Sequence, residues 1–345
     1  MSRAHIILYA LVLLSPLPGF GQLTPQPGEK HFTALRQLTF GGENAEGYFS
    51  FDESRLIFQS TRDSFHCDQM YTLDLRSGAT RLVSTGKGRT TCGYFLPGDS
   101  VILFASTHGS GPECPPPPDY SKGYVWAVYG EYDIYRATSD GSGLRVLTSS
   151  PGYDAEATIS PTGDRIVFTS SRNGDLDLYS MNPDGSDLRQ LTHELGYDGG
   201  AFFSWDGTKI VYRACHYTDT TEAAAYRTLL AQHVVRPSRM ELFVMNADGS
   251  EKRQITSNGA ANFAPFFHPD NKRIIFASNM ASPKGRNFDL YTIGINGTGL
   301  ELITFNDTFD GFPMFTRDGK RLVFASNRNG RARGETNLFI AEWKD

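Results

Sequence analysis

The chain has 345 residues, of which 39% are hydrophobic, 12% are aromatic and 21% are charged. This is enough apolar material for a large core, and the many aromatic residues together with 35 glycines favour β structure over helix. The formal net charge of −5 excludes a broad basic surface, so neither nucleic acid nor an anionic membrane is expected as a partner.

The first 21 residues have the pattern of a secretory signal peptide. Arg3 precedes an apolar run from Ile6 to Leu14, and small residues follow ahead of Gln22. Such a run is too short to span a bilayer, and small residues at its end are typical of a cleavage site. We therefore predict cleavage near Gly21 and a periplasmic or secreted mature protein with no membrane span. Residues 22–345 are expected to form a single domain.

Three short signatures then recur along the chain. The first ends in an aromatic residue and occurs six times, about every 45 residues with two longer intervals: Leu56–Phe58, Ile102–Phe104, Ile166–Phe168, Ile210–Tyr212, Ile274–Phe276 and Leu322–Phe324. The second signature also occurs six times, for example as Asp177–Tyr179. The third occurs six times as well, for example as Gln190–Thr192. With a short aromatic segment before the first signature, each unit predicts four strands, which we call a, b, c and d. Six such units predict an all-β, six-bladed β-propeller.

The two ends of the chain predict how the ring closes. The last unit has strands a, b and c, but the chain stops at Asp345 before a strand d. A surplus d-type strand, Leu35–Thr39, stands ahead of the first strand a. We therefore expect Leu35–Thr39 to complete the sixth blade, which leaves no open sheet edge between the first and last blades.

The repeats resemble the WD40-like repeats of TolB-type propellers. The resemblance is carried by segments such as Ile159–Gly174 followed by Asp177–Ser186, and it covers about residues 35 to 343. It implies a propeller that works in the cell envelope, where the family binds a peptidoglycan-associated lipoprotein and colicins. The N-terminal α/β domain of that family has no counterpart here, so the resemblance is to the propeller module, and a role in a Tol system is not implied.

Two long insertions are expected on one face of the propeller. They occupy about 106–130 and 213–239, both between strands b and c, and b–c loops share one end of every blade with the d-to-a crossings. We call this end the top face and expect the insertions to form two walls with blade 3 between them. The first contains Tyr124 and Trp126, which can stack on sugars or on a partner peptide, or pack as the insertion's own core. The second predicts a helix over 221–235.

Aligning the six units gives two polar rings at the top face. The first ring is Asn44, Thr90, Asp154, Asp198, Asn262 and Asp310, and the second is Arg62, His108, Arg172, His216, Met280 and Arg328. Arginines and carboxylates are expected to pair between neighbouring blades. His108 and His216 replace arginine only in the blades with insertions. With His193 they lie near Asp154, Glu156 and Asp198, where they either hold a divalent metal or are scattered histidines without that role.

The chain has four cysteines, and export permits a disulfide. Cys67, Cys92 and Cys114 are expected on the same face, so Cys92 can pair with either of the other two. We prefer Cys92–Cys114, because it would hold the proline-rich first insertion. Cys215 lies two blades away and is expected to be unpaired.

These patterns predict an exported, monomeric binding or scaffold module for an envelope protein or glycan, without a required cofactor and without an assigned catalytic residue. The predicted ligand surface is formed by His108, Tyr124, Trp126, Asp154, Glu156, Arg172, His193, Asp198 and His216. The alternative is a metal-dependent lyase or hydrolase acting on a glycan or peptide, with His108, His193 and His216 as metal ligands. The sequence names neither the ligand nor the partner.

Overall fold

The computed structural model describes residues 21–282, 285 and 287–345, with Lys122 described by its backbone alone. The predicted signal peptide, apart from Gly21, lies outside the described residues. Six antiparallel sheets form the six blades of a propeller, as the repeats predict. No helix in the described part of the chain is long and apolar enough to cross a membrane.

Strands a to d of the first five blades follow one another along the chain. In blade 1 they are Glu43–Phe49, Arg55–Thr61, Gln69–Asp74 and Thr80–Leu82. In blade 2 they are Thr90–Phe95, Val101–Ser106, Asp133–Thr138 and Arg145–Val146. In blade 3 they are Asp154–Ile159, Ile166–Ser170, Asp177–Met181 and Arg189–Gln190. In blade 4 they are Gly196–Phe203, Lys209–His216, Glu241–Asn246 and Arg253–Gln254. In blade 5 they are Asn262–Phe267, Arg273–Ser278, Asp289–Gly294 and Glu301–Leu302.

The sixth blade joins the two ends of the chain. Its strands a, b and c are Asp310–Phe315, Arg321–Ser326 and Asn337–Trp343. Strand d is Phe32–Gln37, which pairs antiparallel with strand c so that Leu35 lies opposite Ala341. Gly21–Leu23 adds a fifth strand outside it. The predicted closure is confirmed, but strand d begins three residues earlier than expected and ends two residues earlier.

The threonine or serine of the third signature lies two residues after the end of strand d in every blade. Its hydroxyl, rather than a backbone carbonyl, accepts the hydrogen bond of the strand c backbone at 2.8–3.0 Å in all six blades. The accepting residues are Thr39, Ser84, Thr148, Thr192, Thr256 and Thr304. In blades 3 and 4 the same hydroxyl donates to the acid of the second signature, from Thr192 to Asp177 and from Thr256 to Glu241. The second and third signatures are thus two halves of one hydrogen-bonded unit.

The aromatic residue of strand b fills the core of each blade. All six are fully buried: Phe58, Phe104, Phe168, Tyr212, Phe276 and Phe324. In all six blades this ring packs on the aromatic residue of strand c in the same blade, as Phe168 does on Tyr179 at 6.0 Å between centroids. This packing explains why the two aromatic signatures repeat together.

The two insertions join rather than standing apart. Trp126–Ala127 of the first pairs antiparallel with Val234–Val235 of the second. They therefore form a single roof on the top face, in place of two separate walls. The first insertion also contains a 3-10 turn at Tyr120–Lys122.

The helix of the second insertion is α1, Thr220–Leu230, and it is shorter than the predicted 221–235. Asp219 caps it by accepting hydrogen bonds from the backbone of Thr221 and Glu222. Its buried side chains are Ala223 and Tyr226. The helix ends early because the following residues leave it to form the strand Val234–Val235.

Candidate functional site

The central channel widens below the roof into a cavity of about 1590 Å³. Residues from strand a or its approach in all six blades line this cavity, and so do parts of both insertions. The first insertion contributes Tyr120, Tyr124, Trp126 and Tyr129. A cavity of this size exceeds the roughly 300–1,000 Å³ that is usual for a small-molecule site. It can therefore admit a ligand of several linked units.

A ring of strained residues surrounds the channel. Strand a has a β-bulge in every blade, and one bulge residue adopts positive φ. These residues are Glu46 (52°), Cys92 (53°), Glu156 (59°), Gly200 (60°), Ala264 (47°) and Phe312 (54°), and all of them line the cavity. Residues other than glycine avoid this conformation, at a cost of roughly 1 kcal/mol or more, and such strain is typical of functional sites. In every blade except blade 4, where the residue is Gly200, the bulge turns one side chain toward the ligand space.

Glu156 is the centre of a closed hydrogen-bond network. It forms an ion pair with Arg213 and accepts hydrogen bonds from the Thr169 hydroxyl (2.7 Å) and the Tyr197 hydroxyl (2.9 Å). The backbone N–H of Gly200 donates to it as well, at 2.9 Å. Burial raises the pKa of Glu156, but Arg213 and these donors outweigh burial and lower it. Glu156 is therefore ionised at neutral pH.

Gly200 leaves the space through which Arg213 reaches Glu156. A Cβ at position 200 would collide with the guanidinium of Arg213. That guanidinium lies 5.2 Å from the ring centre of Trp126 and 5.5 Å from that of Tyr197. The roof is thus fixed to the channel wall by a cation–π contact.

Glu46 and Cys92 occupy the same bulge position in blades 1 and 2, without such compensation. Burial, followed by the negative charge of Glu156, raises the pKa of Glu46 to about 7. Burial and the charge of Glu46 raise the pKa of the Cys92 thiol well above its usual value. The Cys92 sulfur lies 3.3 Å from the Thr91 hydroxyl. Cys92 therefore remains a protonated thiol, which makes it a poor nucleophile.

The opposite side of the cavity is aromatic. Phe263 stacks on Phe288 with 5.0 Å between ring centroids, and Phe309 contacts both Phe288 and Phe312 at 6.0 Å. Trp126 of the roof completes this wall by packing on Phe263 at 4.7 Å. We call Glu43, Glu46 and Glu156 at blades 1 to 3 the carboxylate side of the cavity, and the phenylalanines at blades 5 and 6, where Asp307 and Glu335 also lie, its aromatic side.

The described lining is more acidic than basic. Its charged residues are the acids Glu43, Glu46, Asp68, Glu156, Asp307 and Glu335 and the bases Arg89, Arg213 and Arg239. Arg213 is paired with Glu156, and Arg89 lies 3.3 Å from Asp68. Arg239 is paired with Glu222, at 2.8 Å. Each of the three arginines in the described cavity lining is therefore already paired with a carboxylate.

The predicted ligand residues separate into two groups. Tyr124, Trp126 and Glu156 line the cavity, whereas the other six do not: His108, Asp154, Arg172, His193, Asp198 and His216. The cavity is also lined by residues that were not predicted there: Glu46, Cys92, Tyr197 and Arg213. A signal for the bulge ring was present, since each of its members lies two residues after a member of the first polar ring.

The two polar rings pair within a blade, not between neighbouring blades as predicted. Arg172 donates to both oxygens of Asp154 at 3.0 Å, and Arg328 donates to Asp310 at 2.8 Å. The reason is that the carboxylate begins strand a directly beside the end of strand b in the same sheet, where Asp154 faces Ser170. These buried or half-buried ion pairs lie outside the cavity.

The three histidines do not form one centre. His108 hydrogen-bonds the Ser106 hydroxyl at 2.8 Å and packs on Tyr135, and burial lowers its pKa. His193 is exposed. His216 bonds Asp198 at 2.9 Å; burial lowers its pKa, but the bond and charge of Asp198 outweigh burial and raise it. Within the described residues, the one group of three that could hold a metal is Glu194, Asp198 and His216.

The predicted disulfide Cys92–Cys114 is wrong. The structure has Cys67–Cys114, with 5.9 Å between Cα atoms, and Cys92 is free. The bulge explains the difference, because it turns Cys92 into the channel while Cys67 and Cys114 remain on loops of the top face. Cys215 is free, as predicted.

Solved structures share this architecture. A putative TolB from Agrobacterium tumefaciens aligns with a TM-score of 0.60 and 18% identity over 88% of this chain and 91% of that chain. TolB from Acinetobacter baumannii aligns with a TM-score of 0.55 and 15% identity over 81% of this chain and 61% of that chain. The chain has a TolB-like propeller fold. No protein-family model matches its sequence.

The TolB-like fold is shared with enzymes too. An oligogalacturonate lyase in complex with manganese aligns with a TM-score of 0.56 and 15% identity over 94% of this chain and 96% of that chain. At these identities the likeness concerns the fold alone, since one fold hosts many functions. The function of this TolB-like propeller must therefore be argued from its own residues.

Proposed function

We propose that this TolB-like propeller is an exported, non-catalytic binding module of the cell envelope, and that its ligand is a glycan held in the roofed cavity. The observation that carries the proposal is the division of one large cavity into a carboxylate side and an aromatic side. The signal-peptide pattern of residues 1–21 supports export.

The aromatic side suits the apolar faces of sugar rings. Tyr120 and Tyr124 are 55% and 54% exposed, although large aromatic side chains usually bury most of their surface. Both belong to the roof, beside Trp126 and above the phenylalanine wall. Flat rings on two sides of a cavity can stack on successive sugars, and their rigidity keeps the entropic cost of binding low.

The carboxylate side suits sugar hydroxyl groups. Glu43 and Glu46 face the cavity, and oxygen acceptors at fixed positions can select the orientation of hydroxyl donors. The acidic excess of the described lining favours neutral or amino sugars over uronic acids. Binding without catalysis is supported by the network around Glu156, since its carboxylate already accepts four hydrogen-bond partners of the protein itself.

The alternative of a metal-dependent lyase or hydrolase has less support. It requires His108, His193 and His216 to act together, and they are not brought together. No histidine is found among the described residues that line the cavity.

Intrinsic fluorescence tests the proposal, because Trp126 is the one tryptophan of the three that lines the cavity. Mature protein is titrated with chito-oligosaccharides as neutral probes and with oligogalacturonate as an anionic probe. We expect saturable quenching with the neutral probe, recovery of the saccharide intact, and about tenfold weaker binding for Trp126→Ala. Leu188→Ala, an exposed apolar side chain outside the cavity, should bind like wild type. Equal affinity of Trp126→Ala and wild type, or capture of envelope peptides in place of any saccharide, would contradict a glycan site here.

A further inference from the structure

One polar cluster lies on the top face outside the cavity, at the crossing from blade 3 to blade 4. It consists of Glu194, Asp198 and His216, whose ligand atoms all lie within 4.8 Å of one another. Asp198 is fully buried, His216 has a side chain 23% exposed, and Glu194 is exposed. The cluster therefore has a fixed inner carboxylate and an opening to solvent.

Equivalent positions in two other blades show how the fold satisfies this buried carboxylate. In blade 3 the guanidinium of Arg172 donates to both oxygens of Asp154, and Ser150 donates to one of them as well. In blade 6 Arg328 pairs with both Asp310 and Glu29. The arginine Nε donates in each case to a serine of strand b, Ser170 or Ser326. The standard arrangement thus places a permanent cation on the carboxylate.

Blade 4 has neither the arginine nor the strand b serine of that arrangement. His216 replaces the arginine and reaches only Asp198 Oδ1, at 2.9 Å. Asp198 Oδ2 is buried and accepts no hydrogen bond. The Thr192 hydroxyl also lies near Asp198, but its one proton is donated to Asp177 at 3.1 Å. Ala214 replaces the strand b serine.

An unpartnered buried carboxylate oxygen is costly, so this site calls for a further cation. The Asp198 carboxylate with its unpartnered Oδ2, and His216 Nε2, which lies 2.9 Å from Oδ1, are close enough to bind one ion, since carboxylate and imidazole ligands both lie about 2.0–2.2 Å from such a metal. Glu194 is exposed and accepts a hydrogen bond from the His193 backbone N–H at 3.1 Å, and its carboxylate would be the third ligand. One imidazole with two carboxylates suits Mn²⁺ or Zn²⁺ better than Mg²⁺ or Ca²⁺, which prefer oxygen ligands alone.

We infer that Glu194, Asp198 and His216 form a binding site for one divalent transition-metal ion, in the place that arginine fills in blades 3 and 6. The ion would hold the d-to-a crossing of blade 3 to strand b of blade 4. This site differs from the predicted trio of histidines, because only His216 belongs to both. It is also independent of the cavity, so it does not rest on the proposed glycan binding.

Calorimetric titration of chelator-treated mature protein with Mn²⁺ or Zn²⁺ alone tests the site. We expect one ion per chain, and Mg²⁺ or Ca²⁺ at equal concentration should not displace it. His216→Arg rebuilds the arrangement of blade 3, so it should fold normally and bind the ion at least about tenfold more weakly. Glu194→Gln, on an exposed side chain that cannot disturb the core, should also weaken binding.

The matched control is His108→Arg, which makes the same substitution at the equivalent position of blade 2, where Thr90 stands in place of the acid. His108→Arg and Trp126→Ala should both leave metal affinity unchanged. Wild-type protein that binds neither Mn²⁺ nor Zn²⁺ stoichiometrically would overturn the site. So would binding that survives both His216→Arg and Glu194→Gln.

Discussion

Glu46 and Glu156 show how one backbone position can hold a carboxyl group in two different states. Both sit at the strand a bulge with positive φ, and both face the channel. Glu156 has Arg213 and three further hydrogen-bond donors, which lower its pKa despite burial. Glu46 has no arginine of its own, and its pKa rises to about 7. The surroundings of the side chain, and not the residue type, therefore decide which of the two is charged at neutral pH.

Glu46→Gln should stabilise the protein more at pH 8 than at pH 5. The pKa of Glu46 is about 7 in the folded chain and 4.5 as the ordinary value. The folded state thus binds the proton more tightly, and its stability falls as the pH rises from the unfolded pKa through the folded one. Glutamine cannot ionise, so it removes this loss, which is on the order of 1–3 kcal/mol. Urea unfolding of both proteins at the two pH values measures the difference.

Glu156→Gln is the control, because its effect on stability should be opposite to that of Glu46→Gln. Because the folded pKa of Glu156 is lowered, its contribution to stability is present above the unfolded pKa and is lost as the pH falls through the folded one. The substitution should therefore destabilise the protein at pH 8, where it leaves Arg213 without its partner. An equal gain from Glu46→Gln at pH 5 and pH 8 would show that Glu46 titrates normally.

At the scale of elements, the repeats could be predicted from sequence, but the pairing between the two insertions could not. Strands b and c have aromatic residues whose packing repeats in every blade, so their signature is local and periodic. The ends of strand d were predicted two residues too long because the threonine hydroxyl replaces the last backbone pair, as Thr39 does for Leu338. The ribbon of Trp126–Ala127 and Val234–Val235 has no counterpart in other units, so no alignment of repeats indicates it.

The cysteines illustrate the same limit. Loop lengths placed Cys67, Cys92 and Cys114 on one face, but the pairing depends on which way each side chain points. The bulge at Cys92 turns it inward, and a bulge depends on the register between strands a and b, which the sequence pattern does not show. Glu156 was predicted at the site because it lies near Asp154 and the histidines, whereas Glu46, at the same bulge position of blade 1, has no such neighbours in the sequence.

Cys67–Cys114 should hold the first insertion in place over the cavity. It connects the b–c loop of blade 1 to that insertion, across 47 residues of chain. We expect Cys114→Ser to be less stable by about 2–4 kcal/mol. We also expect faster proteolysis within 107–125, because the loop loses its covalent attachment. Cys92→Ser is the matched control and should leave the rate of proteolysis unchanged. Non-reducing peptide maps should link Cys67 to Cys114, and a linked peptide containing Cys92 would refute this assignment.

At the scale of the whole molecule, the ring is closed by pairing between distant parts of the chain. Phe32–Gln37 lies between the outer strand Gly21–Leu23 and the C-terminal strand Asn337–Trp343. Phe32 and Leu35 are buried in the core that includes Phe324, Phe339 and Trp343. The count of six units and the surplus strand were enough to predict this closure. A mismatch between the first and last units is visible in the sequence without any knowledge of side-chain direction.

Closure by this strand predicts that two truncations differ sharply in effect. A chain beginning at residue 26 loses only the outer strand Gly21–Leu23, whose residues are half-buried or exposed, and should keep its thermal midpoint to within a few degrees. A chain beginning at residue 40 loses Phe32 and Leu35 from the core, the hydroxyl of Thr39, and the partner of strand c in the sixth blade. It exposes a long hydrophobic edge, so we expect it to aggregate or to unfold without a cooperative transition. Differential scanning calorimetry and size-exclusion chromatography of the two chains measure this. A cooperative, monomeric transition for the shorter chain would mean that five complete blades and a partial sixth fold without closure.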